Sequence, residues 1–162
     1  MEIVMTIKVG DKVPAGMFTI MAAEGPVGMS TADIFDGKKV VLFAVPGAFT
    51  PTCSMAHLPG FVVHVDEIKS KGVDTVACMS VNDVFVMNAW GQSANAEQLV
   101  MLADGNADFT TALGLELDGS GFGMGKRSQR FAMIVDDGVV SLLNVDAGAL
   151  EGSSAEAILA AL

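Results

Sequence analysis

The run Lys39-Val-Val-Leu-Phe-Ala-Val45, stopped by Pro46-Gly47, constrains this chain more than any other feature. A continuous apolar run this short has no side to turn to water, so it predicts a strand buried on both faces, with helices packed above and below its sheet. Asp74-Thr-Val-Ala-Cys-Met-Ser-Val81 and Leu99-Val-Met-Leu-Ala-Asp104 repeat the signature. Between the first two runs, Met55, Leu58, Val62, Val65 and Ile68 recur three or four apart, which predicts a helix from about Thr52 to Lys71 with one buried face. Pro59 lies inside it and should kink it, because proline lacks a backbone donor and its ring crowds the preceding turn. Asn82 is placed to cap a short helix ending near Gly91, and another, Ala107 to Leu113, runs into Gly114.

Arg130-Phe-Ala-Met-Ile-Val135 and Val139-Val-Ser-Leu-Leu-Asn-Val145 flank Asp136-Asp137-Gly138, and Asp-Gly between two apolar runs marks a hairpin. Ser153-x-x-Glu156 ahead of an Ala/Leu-rich end reads as a capping box opening a last helix. The order strand, helix, strand, helix, strand, hairpin, helix implies a thioredoxin-like α/β fold: a central mixed sheet flanked by helices, with an amino-terminal extension. One domain is expected over residues 1–162. With 51% hydrophobic and only 17% charged residues, the chain should have a full core and an apolar patch left over for a partner subunit, in a homodimer.

Charge narrows the partners. Nine Lys and Arg against 19 Asp and Glu leave a formal charge of −10, which repels phosphate backbones and argues against nucleic acid or an anionic membrane. No apolar stretch approaches the ~18–20 residues that cross a bilayer. The first twelve residues carry Glu2 and Lys8 in or beside their apolar stretch, with no basic leader or small-residue cleavage site, so a cytoplasmic protein is expected. Two cysteines, Cys53 and Cys78, cannot make a disulfide framework and read instead as catalytic, redox-sensing or buried thiols.

Cys53 falls just past a strand end, in the first turn of a helix, where free backbone N–H groups and the positive end of the helix dipole favour negative charge. A reactive, at least partly reachable thiol is expected there, against the alternative of a core cysteine. Cys78, mid-strand between Ala77 and Met79, reads as a core thiol. Cys53, His57 and His64 do not make a zinc or copper site, because Pro59 breaks the phase between the histidines and no second cysteine lies close. His57 reads as a polar group near the pocket, running roughly parallel to Cys53 rather than facing it as a hydrolase base would, and His64 as a half-exposed helix residue. Gly119 to Lys126 fails as a phosphate-binding loop: Ser120 stands where the first glycine is needed and Arg127 where a hydroxyl would hold magnesium. It reads as a flexible loop carrying Arg127 and Arg130 towards the sheet. No cofactor or metal is expected.

The segment Val45-Pro-Gly-Ala-Phe-Thr-Pro-Thr-Cys-Ser-Met-Ala-His-Leu-Pro-Gly-Phe61 closely resembles the active-site segment of the peroxiredoxins, specifically their type II branch. Residues 73–83, 85–90 and 127–140 join it, so the resemblance covers the chain from about Val40 to Val145. It implies a thiol peroxidase acting on hydrogen peroxide and organic hydroperoxides, with Pro46, Thr50, Cys53 and Arg130 as the peroxide site. Arg130 rather than Arg127 takes the arginine role because it immediately precedes the strand, six residues before Asp136. A Cys53 thiolate would attack one peroxide oxygen and become a sulfenic acid. Thr50 would hydrogen-bond the reacting oxygen, Arg130 would hold the thiolate and the charge on the breaking bond, and Pro46 would pack over the thiol. Ionisation alone is a modest lever: a cysteine of ordinary pKa, about 8.5, is about 3% thiolate at pH 7, so full ionisation gains about 30-fold, or about 2 kcal/mol. Oriented donors must supply the rest.

The resemblance also implies the reductant class, glutathione with glutaredoxin or thioredoxin. The carboxyl-terminal resolving cysteine of some type II members has no counterpart, and no fused glutaredoxin domain is expected; Cys78 matches the second cysteine of plant members and is the candidate resolving residue. A second function class keeps the same thiol but uses it once, as a redox sensor or chaperone-like protein; repeated turnover separates the two.

Overall fold

Alternation along the buried runs decides how the layers form. The computed structural model describes residues 6–147 and 149–162; the amino-terminal reading that rests on Glu2 lies outside them. The strands are β1 (Met17–Ala22), β2 (Gly25–Ser30), β3 (Lys39–Val45), β4 (Thr75–Ser80), β5 (Val100–Ala103), β6 (Glu116–Asp118), β7 (Lys126–Ser128), β8 (Arg130–Asp136) and β9 (Val139–Asp146). The helices are α1 (Thr31–Phe35), α2 (Leu58–Ser70), α3 (Val84–Ser93), α4 (Asp108–Leu113) and α5 (Ala155–Ala161). Seven strands form one mixed sheet in the order β2-β1-β5-β4-β3-β8-β9, and β6 and β7 pair separately.

In β3, Val41, Phe43 and Val45 face a core shared with Leu58, Phe61 and Ile68 of α2, Trp90 of α3 and Ile158 of α5. Val40, Leu42 and Ala44 face the other core, with Ile34 and Phe35 of α1 and Phe109 and Leu113 of α4. Burial of β3 on both faces therefore follows from its position at the centre of the sheet, as the unbroken apolar run requires. β3 runs parallel to β4 and antiparallel to β8, with Ala44 opposite Phe131, so the carboxyl end of β3 and the start of β8 lie side by side at the same end of the strands. That register brings Arg130 beside Pro46.

The central elements match the α/β arrangement expected from the sequence, and the differences are local. The amino-terminal extension contains the β1–β2 hairpin and α1; the Gly-Pro-Val-Gly-Met-Ser of β2 carries no strand periodicity, so nothing in it predicts an edge strand. Asp83, not Asn82, caps α3 by accepting from the Val86 N–H, and the helix runs on to Ser93. Asn82 instead takes the Ala48 N–H, 3.0 Å away, and the Ser80 hydroxyl. Ser154, not Ser153, caps α5, because the Ser153 hydroxyl is spent on Asp146. The glycine-rich stretch is the loop that joins β6 to β7, with one 3-10 turn at Ser120–Phe122; Arg127 lies in β7, while Arg130 belongs to β8 rather than to the loop.

The largest departure lies between Cys53 and His57, where the backbone forms a π turn before α2 begins. Leu58 N–H bonds the Cys53 carbonyl five residues back, so an extra residue is wound into the turn. Pro59 then sits in the first turn of α2, where no donor is needed, and the expected mid-helix kink becomes a change of helix type. The inserted residue shifts the helical phase. Met55, expected on the buried face, is 81% exposed, while Phe61 is fully buried.

Candidate active site

Cys53 opens the π turn at the carboxyl end of β3, in the crevice beyond the strand ends where open α/β sheets place their ligands. Its sulfur accepts a hydrogen bond from Arg130 Nη2, at 3.2 Å. Nη1 of the same guanidinium donates to His57 Nδ1 at 2.7 Å, so one planar fork is held at two points 77 and 73 residues apart in sequence. Four residues span nearly one full revolution in a π turn, which brings His57 and Cys53 to the same side and lets Arg130 reach both.

His57 closes the arrangement from behind. Its Nε2 lies 2.9 Å from the Ser153 carbonyl, an acceptor only, so Nε2 carries the proton and Nδ1 is free to accept from Arg130. Burial, with the neighbouring Arg130 charge, outweighs the Ser153 carbonyl and Asp146 and lowers the His57 pKa from 6.5 to about 4. The ring is therefore neutral at pH 7. It packs against Phe43 and Phe61, whose rings stack at 4.0 Å. The Ser153 carbonyl is fixed in turn by Asp146, whose carboxylate accepts from Ser153 N–H (2.9 Å) and hydroxyl (2.6 Å), Glu151 N–H (2.9 Å) and Gly152 N–H (3.1 Å). Burial works to raise the Asp146 carboxyl, but these bonds together outweigh it and hold the group below its ordinary range.

Thr50 and Pro46 stand on the opening side. A cavity of about 320 Å³ is lined by Pro46, Thr50, Arg130, Leu117, Phe122 and Met124 among others. The Thr50 hydroxyl donates to the Gly47 carbonyl at 2.7 Å, which leaves its oxygen lone pairs free to accept from a ligand O–H. Gly47 is closely packed: a Cβ there would sit 3.1 Å from the Met124 methyl and 3.2 Å from the Thr50 methyl, so those side chains would have to shift. Arg127 does not join the sulfur; Nε bonds the Met124 carbonyl and Nη1 that of Val81, which ties the ribbon to the end of β4.

Cys53 itself is fully buried, so the expectation of a partly reachable thiol is corrected. The π turn directs the side chain inward, into the core beneath Arg130. Cys78 is buried as expected, and both cysteines are free thiols. Burial, reinforced by the nearby Cys53, pushes the Cys78 pKa well above its ordinary value. His64 is partly exposed and reaches Glu67 and Glu156, away from Cys53. Among the described residues no cluster of His, Cys, Asp and Glu could hold a metal ion, and no helix is long and apolar enough to cross a membrane.

No local motif assigns His57 a specific role or marks the Asp146–Ser153 brace. The spacing Cys53-x3-His57 was the available signal for the first, but its meaning depends on the π turn. The second joins residues only seven apart through a loop without a motif.

The Redoxin family matches residues 8–159. Among curated proteins, a chloroplastic peroxiredoxin-2E-2 of Oryza sativa subsp. japonica is 50% identical over 99% of this chain and 74% of its own length. Peroxiredoxin-2B of Arabidopsis thaliana is 50% identical over 96% of this chain and 98% of its own. Among solved structures, reduced Prx3 of Vibrio vulnificus in complex with hydrogen peroxide superposes with a TM-score of 0.93 at 58% identity, covering 96% of this chain and 99% of that one.

Proposed function

Since the chain belongs to the Redoxin family and, within it, to the peroxiredoxins, which are thiol-dependent peroxidases, we propose that Cys53 is its peroxide-reducing nucleophile, with Arg130, Thr50 and Pro46 shaping the site. The observation that carries this reading is the Arg130 fork, one arm on the Cys53 sulfur and the other on His57. A fixed planar cation beside the sulfur costs no reorganisation when charge develops there during reaction. The thiolate attacks the distal peroxide oxygen, which keeps its own proton, the O–O bond breaks, and the departing oxygen takes a proton from solvent to leave as water or an alcohol. Cys53 is then a sulfenic acid. Thr50 accepts from the peroxide O–H, and Arg130 stabilises the negative charge spread over the breaking bond.

Hydrogen peroxide and organic hydroperoxides both suit the cavity, whose apolar side chains Leu117, Phe122 and Met124 offer room for an alkyl group. Because Cys53 is buried, reaction requires a small opening at the π turn or the Pro46–Thr50 loop, and resolution requires a larger one. A small thiol needs less opening than a second buried cysteine. Glutathione or a glutaredoxin therefore resolves the Cys53 sulfenic acid directly, and Cys78, buried and held protonated, is dispensable with that reductant; thioredoxin is the alternative reductant. A reducing compartment, the cytoplasm, is the setting proposed for two free thiols.

Peroxide consumption with glutathione/glutaredoxin and with thioredoxin tests the reading. Cys53→Ser should abolish turnover with the fold intact, while Cys78→Ser should keep it with glutathione/glutaredoxin. Near-wild-type turnover by Cys53→Ser would refute the assignment, and a Cys78→Ser variant dead with both reductants would make Cys78 an obligatory resolving cysteine.

A further inference from the structure

Arg130 can serve the sulfur only while its other arm is held, and the group that holds it is itself held from outside the site. Four hydrogen bonds lead away from Cys53 in sequence: Arg130 to the sulfur, Arg130 to His57 Nδ1, His57 Nε2 to the Ser153 carbonyl, and Ser153 N–H to Asp146. The geometry points to Asp146 as a positioning residue for the peroxidase reaction, acting through Ser153 and His57 on the guanidinium of Arg130. The inference rests on Cys53 being the nucleophile and names a residue three hydrogen bonds behind Arg130.

Each link has one chemical sense. The Ser153 carbonyl can only accept, so it selects the His57 tautomer with the proton on Nε2, and that tautomer alone offers Nδ1 as an acceptor. Were the carbonyl displaced, the imidazole could turn its proton to Nδ1, and two donors would then face each other. Arg130 would lose a short bond and the orientation that aims Nη2 at the sulfur. The carbonyl does not hold its own place: residues 151–153 belong to no strand or helix. Asp146 gathers three consecutive N–H groups and the Ser153 hydroxyl, and Asn144 adds one bond, 2.8 Å, to the Gly152 carbonyl. Strand register explains why this residue can do so. Asp146 lies opposite Arg130 in the β8–β9 pair, so the brace and the guanidinium start from the same rung of the sheet.

The consequence is a specific coupling. Removing the carboxylate should release the Ser153 carbonyl, slacken His57 and leave Arg130 mispositioned, with no residue that touches peroxide changed. Small displacements of a positioned group cost on the order of 10- to 100-fold in rate. A change that works through Arg130 should cost little once Arg130 has already lost its fork.

The test is the second-order rate of Cys53 with hydrogen peroxide, followed by Trp90 fluorescence, since the indole N–H bonds Ser54 beside Cys53. It uses Asp146→Ala and Asp146→Asn, each alone and with Arg130→Lys, with iodoacetamide alkylation of Cys53 measured in parallel. The expected result is a loss of roughly 10-fold or more with peroxide that persists at a pH where the thiol is fully ionised. Alkylation, which needs no guanidinium at a breaking O–O bond, should not fall in parallel, and with Arg130→Lys the further loss should shrink to within about 3-fold. Peroxide rates within about 2-fold of wild type in the Asp146 variants, or the same fold-loss with and without Arg130→Lys, would overturn the proposal. If Asp146→Ala does not fold, Asp146→Asn decides, because an amide keeps an oxygen for part of the brace and presents a donor to the remaining N–H. Cys53→Ser run alongside separates the two readings: if it still reduces peroxide, the nucleophile assignment fails, whereas a dead Cys53→Ser beside unaffected Asp146 variants refutes only the brace.

Discussion

The guanidinium of Arg130 does two jobs with two nitrogens, and this makes lysine a poor substitute. Arg130→Lys keeps the charge but offers one compact ammonium where the site needs donors aimed at Cys53 and His57 together. Peroxide reduction should fall by roughly 10- to 100-fold, and raising the pH until the thiol is fully ionised should not restore it. Full recovery at high pH would mean that Arg130 acts only by ionising the thiol. His57 makes a second prediction, on stability. Its folded pKa of about 4 lies below its unfolded 6.5, so the unfolded chain binds the extra proton first as pH falls. Folding should be fully favoured above about 6.5 and lose on the order of 3 kcal/mol on the way down to pH 4 from this group. Asp146, held below its ordinary range, stays ionised through most of that window. Urea midpoints of wild type and His57→Gln between pH 7 and pH 4 check it: wild type should lose stability relative to the variant as the pH falls, and parallel curves would contradict the account.

Among the elements, the sequence was legible where a local pattern has one structural solution. The unbroken run of β3 had to be a central strand, Gly114 does end α4 in the left-handed conformation, and Asp137-Gly138 makes the hairpin turn with both residues at positive φ. Pro59 was visible as a disturbance, but whether a proline kinks a helix, starts one or follows a π turn depends on what the turn packs against. The exposure of Met55 and the depth of Cys53 follow from that one inserted residue. For the site, Pro46, Thr50, Cys53 and Arg130 were nameable from a resemblance in two stretches of sequence, while their closeness is set by the β3–β8 register. The brace was illegible because hydrogen bonds to peptide groups place little demand on side-chain identity. The β1–β2 hairpin has no local signal either, since Gly25, Pro26 and Gly28 interrupt any alternation in β2 and its place is set by backbone pairing with β1.

At the scale of the whole molecule, the low charge density leaves apolar surface that one chain does not cover. Phe49, Met55, Phe85 and Phe122 are between 54% and 88% exposed, and they lie on the Pro46–Thr50 loop, the π turn, α3 and the β6–β7 ribbon, the elements that surround the site. A second copy of the chain packed there would bury them, and we propose a homodimer on this face. Light scattering at micromolar concentration should give a dimer that Phe85→Glu weakens; a strict monomer in both redox states would remove the proposal. Whatever the assembly, the chemistry turns on one sulfur. Reduced protein mixed with one equivalent of hydrogen peroxide in the presence of dimedone, then digested and mapped by mass spectrometry, should carry the sulfenic-acid adduct on the Cys53 peptide in wild type and in Cys78→Ser. Peroxide consumed with Cys53 unmodified, or the adduct on Cys78 instead, would contradict it.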